Sequence, residues 1–144
     1  MNDLFAYDSL SIEDRIALTT LCMEYVWRLD FLHVETVVEL FTDDCVWEGP
    51  AGKFVGKPEM AAYWNRRAKM PIITRHMISN LRFVQDSPTS ARGWISFTAY
   101  VAPQNEDKPA TPKLVAEHID TYEKGSDGKW RIKTRKVETA FGGL

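Results

Sequence analysis

His76 is the first residue of this sequence whose chemistry needs an explanation. It is one of three histidines and lies among apolar and small polar neighbours in "TRHMISN". An imidazole titrates close to neutral pH, so it can accept or donate a proton during catalysis. If this segment is a strand, His76, Ile78 and Asn80 share one face. The residues alone leave two roles open, a satisfied core histidine or one half of a proton-transfer pair.

Asp30 is the second candidate and ends a helix predicted from the apolar pattern before it. It follows Val26 by four residues and Cys22 by eight, so it borders the apolar face of that helix. Negative charge is unfavourable at a helix C-terminus, which makes an acid at this position unusual. A helix-ending aspartate that bonds its own backbone and faces water also fits. A structural role and a catalytic role for Asp30 therefore both stay open.

A third group of candidates lies in "LVAEHIDTYE", residues 114–123. Alternation along a strand places His118, Asp120 and Tyr122 on one face, together with Ala116. Neither face of this strand is clearly apolar. The polar set is consistent with the lining of a cavity and equally with a hydrogen-bond network between strands.

Other catalytic motifs do not occur. The histidines have no H-x-x-x-H or H-E-x-x-H spacing, so a metal site has little support. The sequence also lacks a G-x-S-x-G elbow, a phosphate-binding loop and a G-x-G-x-x-G turn. Cys22 and Cys45 form no C-x-x-C pair and lie in hydrophobic segments, so we expect buried free thiols.

Composition and charge limit the partners of the chain. The 144 residues, of which 44% are hydrophobic and 26% charged, are typical of one globular domain. A net charge of −2 gives no reason to expect nucleic acid. No apolar run reaches the roughly 20 residues that cross a bilayer. Since the acidic N-terminus is unlike a secretion signal, we expect a cytoplasmic protein that binds neither nucleic acid nor membrane.

The most basic segment, "KWRIKTRK" (residues 129–136), has the composition of a strand. Alternation places Trp130 and Ile132 on its buried face. The opposite face, which we expect to be solvated, carries Lys129, Arg131, Lys133 and Arg135.

The hydrophobic pattern predicts the elements that must position the candidate residues. Ser11 with Asp14 is typical of a helix start, and one helical face then carries Leu18, Leu21, Cys22, Tyr25 and Leu29. A short helix over about residues 33–41, a hairpin through "DCVWEGPAGKFVGKP" and a helix with Pro58 in its first turn follow. Four long strands come after residue 70. This order predicts an α+β domain whose curved sheet, closed by helices, encloses a pocket.

Three stretches of the sequence resemble the SnoaL-like branch of the nuclear transport factor 2-like superfamily. They are "EDRIALTTLCMEYVWRLD" followed by "VVELFTDDCVWEG", then "GKPEMAAYW" leading to "TRHMISNLRF", and finally "AEHIDTYEKGSDGKWRIKTRKV". The resemblance implies a single domain over residues 1–144. It also implies a cone-shaped fold in which a curved mixed or antiparallel sheet wraps around N-terminal helices, in the order α-α-β-β-α-β-β-β-β.

The resemblance further implies roles for the candidate residues. Similar members include scytalone dehydratase, bile acid 7α-dehydratase and hexachlorocyclohexane dehydrochlorinase, which are cofactor-free lyases with an Asp–His pair. Asp30 and His76 stand at the matching positions, which implies that His76 is the base and that Asp30 orients it. Tyr25 and His118 match residues that contact the substrate or leaving group. The resemblance implies neither cofactor nor metal, and it implies that the chain forms a homodimer or a homotrimer.

The expected function is therefore that of a dehydratase-like lyase for a small apolar cyclic or aromatic substrate. Aromatic residues that could line its pocket are Trp27, Trp47, Trp64, Phe97 and Tyr100. The same proton abstraction could instead end in isomerisation or polyketide cyclisation, and the fold also serves as a ligand-binding or dimerisation module. Contact between Asp30 and His76 at roughly 2.6–3.2 Å would favour catalysis over the module.

Overall fold

The computed structural model describes residues 10–31 and 33–143, which form three helices and six strands in the predicted order. The α+β prediction is confirmed, and the second helix is of the 3₁₀ type. The elements are α1 (Ile12–Phe31), a 3₁₀ helix (Val34–Leu40), β1 (Phe41–Gly49), β2 (Gly52–Val55), α2 (Gly56–Ala68), β3 (Ile72–Ser87), β4 (Ser90–Pro103), β5 (Leu114–Lys124) and β6 (Trp130–Gly142).

All six strands form one curled mixed sheet in the order β2-β1-β6-β5-β4-β3. β1 runs parallel to β6, whereas the other neighbouring strands are antiparallel. The helices cover the inner face of this sheet, and most of the core lies between the two layers. This arrangement is the cone fold that the resemblance implies.

Local hydrogen bonds explain where the two α-helices begin. The Ser11 hydroxyl accepts a bond of 3.1 Å from the Asp14 backbone N–H, as an N-cap does. At α2, the Glu59 carboxylate accepts a bond of 2.7 Å from the Val55 N–H. Among the described residues, no helix combines the length and apolar content that crossing a membrane requires.

Cys22 and Cys45 are buried free thiols, as the sequence predicts. Burial raises the pKa of the Cys22 thiol to about 11. Cys22 therefore stays protonated near neutral pH and is a poor nucleophile.

A bulge in β3 corrects the predicted face of Asn80. The pairing with β4 shifts between Ser79 and Arg82, and Asn80 adopts a φ of 52°. An extra residue in one strand reverses the alternation beyond it. Asn80 is therefore exposed instead of sharing the inner face with His76, and Phe83 is buried beyond the bulge.

A second bulge corrects the predicted exposure of Arg135. Tyr122 pairs with Ile132 whereas Thr121 pairs with Thr134, so β6 contains one extra residue, Lys133. The alternation reverses there, and Arg135 enters the core with 1% of its surface exposed. The predicted burial of the strand before the bulge is confirmed, since Trp130 and Ile132 are both buried.

Candidate active site

A cavity of about 320 Å³ lies between the inner face of the sheet and the helices. Its walls are mostly apolar, and we call it the apolar cavity. α1 and α2 supply one side, whereas β1 and β3–β6 supply the other. The polar and charged side chains that reach it are Tyr25, Tyr63, Arg67, Thr74, His76 and His118. An apolar enclosure with few polar groups is the usual form of a small-molecule site.

Three of the five aromatic residues expected in the pocket line the apolar cavity: Trp47, Trp64 and Phe97. The other two do not. Trp27 lies on the outer side of α1, half exposed, with its ring 4.6 Å from that of Phe31. Tyr100 is out of phase with the inward-facing Ala99 on β4 and lines a surface groove instead.

The structure brings Asp30 and His76 into direct contact. Asp30 lies in the last turn of α1, and its Oδ1 is 2.8 Å from Nδ1 of His76 on β3. The other carboxylate oxygen accepts a bond of 2.6 Å from the His76 backbone N–H. The Thr74 hydroxyl donates to Oδ1 at 2.8 Å. Three hydrogen bonds therefore hold Asp30 of α1 against β3, the strand that carries His76.

These bonds determine the protonation of the pair. Burial alone would raise the pKa of Asp30, but the hydrogen bonds and charge of His76 outweigh it, so the pKa is lowered. The carboxylate is thus ionised near neutral pH and can only accept a hydrogen bond. Nδ1 of His76 must then carry a proton, so that the lone pair of the neutral tautomer lies on Nε2. The His76 side chain is 14% exposed and lines the apolar cavity.

Tyr25 and His118, the predicted substrate contacts, both line the apolar cavity. Their rings meet edge to face with centroids 5.5 Å apart. Burial, the nearby Arg135 charge and His76 hold the pKa of His118 well below its usual value, so its ring is neutral. Burial also raises the pKa of Tyr25, which keeps its hydroxyl protonated. Both side chains can therefore donate a hydrogen bond to a ligand.

Asp120 and Tyr122 do not accompany His118 into the cavity but form a buried network behind it. Arg135 donates two bonds to the Asp120 carboxylate, at 2.9 and 2.6 Å. The Tyr122 hydroxyl donates to the same carboxylate at 2.6 Å. The Arg135 guanidinium also lies 4.1 Å from the ring centre of Tyr25. The network therefore packs against Tyr25, a residue that lines the apolar cavity.

Sequence reasoning missed Tyr63 and Arg67, two residues of α2 that line the apolar cavity. Their spacing of four residues puts them on one helical face, which was a detectable signal. Arg135 was missed because the bulge at Lys133 has no clear sign in the sequence. Nowhere in residues 10–31 and 33–143 do three His, Cys, Asp or Glu side chains converge into a metal-binding group.

Comparison with known families identifies the family of this chain. Residues 10–136 match the SnoaL-like domain family. The chain belongs to the SnoaL-like family. This family is part of the nuclear transport factor 2-like superfamily. The matched residues include both α-helices, all six strands except the end of β6, and every residue of the apolar cavity except Val137. No curated protein matches the sequence at a significant level.

Several crystal structures share the fold of this SnoaL-like chain. One is a protein designated a scytalone dehydratase from Novosphingobium aromaticivorans DSM 12444, with 23% identity over 90% of this chain and 86% of that chain and a TM-score of 0.79. LinA has 20% identity over 92% and 90%, with a TM-score of 0.75. ActVI-ORFA from Streptomyces coelicolor has 16% identity over 88% and 97%, with a TM-score of 0.73. At these identities the similarity shows the fold alone.

Proposed function

We propose that this protein is a cofactor-independent, dehydratase-like lyase that acts on a small apolar cyclic or aromatic substrate. The observation that carries the proposal is the 2.8 Å contact between Asp30 and His76 in the wall of the apolar cavity. A carboxylate bound to Nδ1 stabilises the imidazolium that forms when Nε2 takes a proton. The similarity to the protein designated a scytalone dehydratase supports this choice of reaction.

His76 is the base of the proposed reaction. Its Nε2 removes a proton from the carbon next to a carbonyl group, and Asp30 stabilises the resulting imidazolium. The bond between the neighbouring carbon and its hydroxyl oxygen then breaks, and the oxygen keeps the electron pair. The imidazolium returns the proton to that oxygen, so water leaves and a carbon–carbon double bond remains. General acid–base catalysis of this kind contributes roughly 10²–10⁴-fold.

Tyr25 and His118 contact the substrate in this proposal. Both are buried beside His76, and both retain a proton that they can donate. A hydrogen bond from either one to the carbonyl or the departing hydroxyl would stabilise charge that develops on oxygen. Because His118 is neutral, it acts as a hydrogen-bond donor and leaves proton transfer to His76.

The test uses a β-hydroxy ketone that fits an apolar cavity and reports each step separately. 3-Hydroxy-1-tetralone, incubated with the protein in deuterated water, loses water to form 1-naphthol if the protein is a lyase. We expect His76→Ala and Asp30→Asn each to slow this conversion by roughly 10²–10⁴-fold without unfolding the protein. His33→Ala is the matched control, because the His33 side chain is 76% exposed and pairs with Glu35 outside the apolar cavity.

Mass spectrometry of the product separates the possible activities. Deuterium incorporation without loss of water would favour an isomerase or cyclase. Saturable binding with neither change would favour a ligand-binding module and contradict the lyase. Undiminished conversion by His76→Ala would contradict the role of His76, whatever the reaction.

A further inference from the structure

Arg67 is a cation at the candidate active site that no hydrogen bond or ion pair engages within the described residues. It lies in the last turn of α2, is half-buried and lines the apolar cavity. Within residues 10–31 and 33–143, its guanidinium forms neither a hydrogen bond nor an ion pair. Burial lowers the pKa of Arg67, since removing a charge from water is unfavourable unless another group compensates. The Asp30 charge acts on Arg67 from a distance and offsets this cost only in part, so that the pKa remains lowered.

The neighbouring Arg66 shows that helix stability does not explain this placement. Both arginines lie in the last turn of α2, where a positive charge interacts favourably with the helix dipole. Arg66 has this interaction while exposed to solvent and does not line the cavity. The partial burial of Arg67 therefore needs a second explanation.

Further positive charge lies in a groove next to the apolar cavity. A groove of about 410 Å³ adjoins the apolar cavity, with which it shares Arg67, and it also contains Arg75 and Lys108. Arg75 donates to the backbone carbonyls of Asp30 and Thr74, at 3.2 and 2.6 Å. Lys108 likewise donates to backbone carbonyls, at 2.7 and 3.1 Å. None of the described acidic side chains forms an ion pair with these three cations.

Asp30 also borders this groove, but its carboxylate is already engaged. His76 and Thr74 use both of its oxygens at 2.6–2.8 Å. These bonds take up three of the roughly four positions at which a carboxylate accepts a hydrogen bond, and the structure shows no hydrogen bond between Asp30 and Arg67 among the described residues. The lining of the groove thus contains three cations and one carboxylate, which leaves net positive charge next to the apolar cavity.

We propose that Arg67 binds a carboxylate of the substrate, whose apolar ring system occupies the cavity beside His76. The proposal rests on the proposed function in that it names the substrate class of the same site. The planar guanidinium matches a carboxylate with two parallel hydrogen bonds and thereby fixes its orientation. An anion bound by Arg67 would orient the ring carbons within the cavity that His76 also lines.

Calorimetric binding of paired ligands tests this proposal without requiring turnover. The pairs are 2-naphthoate with 2-naphthamide and trans-cinnamate with cinnamamide, which differ in charge but little in shape. We expect the protein to bind each carboxylate at least about tenfold more tightly than its amide, since a charged hydrogen-bonded pair contributes roughly 1.5–3 kcal/mol. Arg67→Met should abolish this preference, and Arg67→Lys should retain part of it.

Arg66→Met is the matched control, because it removes the same charge one residue away on the exposed face. It should leave the carboxylate preference unchanged. Equal affinity for acid and amide, absence of saturable binding by both carboxylates, or equal loss in Arg66→Met and Arg67→Met would each overturn the proposal.

The same titration with His76→Ala separates this proposal from the lyase function. The carboxylate preference should persist in that variant, because Arg67 does not act through His76. A preference without any turnover would keep the anion site and contradict only the lyase. Turnover of neutral substrates without a carboxylate preference would keep the lyase function and contradict only the anion site.

Discussion

Two buried aspartates of this protein each bind a cationic or titratable partner on a strand, yet only one pair borders the cavity. The Asp30 and His76 side chains are 3% and 14% exposed, and the histidine reaches the apolar cavity. Asp120 and Arg135 are both fully buried, and neither reaches it. The acids are alike in type, burial and hydrogen-bond distances, so the difference lies in their partners.

The partner decides which pair can transfer a proton. Burial alone would lower the pKa of Arg135, but Asp120 outweighs it and raises the pKa well above its usual value, so this guanidinium stays charged. Arg135 is therefore a permanently charged partner of Asp120 inside the core. An imidazole instead gains and loses a proton near neutral pH. The pair of Asp120 with Arg135 is therefore structural, whereas the proposed proton transfer requires a histidine at the cavity wall, as in the pair of Asp30 with His76.

The largest expected effect comes from breaking the structural pair. Asp120→Asn leaves the Arg135 charge buried without its counter-charge, which typically destabilises a protein by about 3–5 kcal/mol. Urea unfolding measures this loss. Asp30→Asn should lower stability by less, about 1–3 kcal/mol, because its partner can become neutral.

The double variant Asp120→Leu, Arg135→Met is the control for this comparison. Replacing both charges by apolar side chains should recover much of the lost stability. If Asp120→Asn were no less stable than Asp30→Asn, the distinction between a structural and a functional pair would be wrong.

A smaller effect concerns pH, because burial and the Arg135 charge both lower the pKa of His118. The folded protein lowers the pKa of His118 below its ordinary value of 6.5, so the unfolded chain binds more protons in that range. His118 therefore does not reduce the free energy of unfolding above pH 6.5, and this free energy decreases as the pH falls below that value. The slope can reach about 1.4 kcal/mol per pH unit.

His118→Gln should reduce this pH dependence, as urea unfolding at several pH values between 7 and 5, roughly the range in which histidine titrates, would measure. His33→Gln serves as the control, since the His33 side chain is exposed. Identical slopes for the wild type and His118→Gln would show that His118 is not held neutral by the fold.

The elements of the fold could be predicted from the sequence because their signals are local. The apolar face of α1 and its Ser11 cap are both present in the structure. The four long strands also follow directly from alternation between turn-forming segments. The type of the second helix is not encoded as clearly, since a seven-residue segment is too short for periodicity to distinguish a 3₁₀ helix from an α-helix.

The site was predictable only where side chains follow the regular alternation. His76 precedes the bulge in β3, and the bulge opposite β5, the strand of His118, lies in β6. Both histidines face the cavity, as alternation requires. Asn80 and Arg135 do not, because one inserted residue in each strand reverses the faces. Bulges depend on pairing between strands, which a single sequence does not specify. The proximity of Asp30 to His76 came from family resemblance, since 46 residues separate them.

The tautomer of His76 tests the central claim most directly, because it reports the Asp30 contact without requiring a substrate. Long-range proton–nitrogen correlation spectra of isotope-labelled protein distinguish the two ring nitrogens of all three histidines. In the neutral form of the His76 ring we predict a proton on Nδ1 and none on Nε2, and loss of this preference in Asp30→Ala. A proton on Nε2 in the wild type, or the same tautomer in both proteins, would contradict the account of His76 as a base oriented by Asp30.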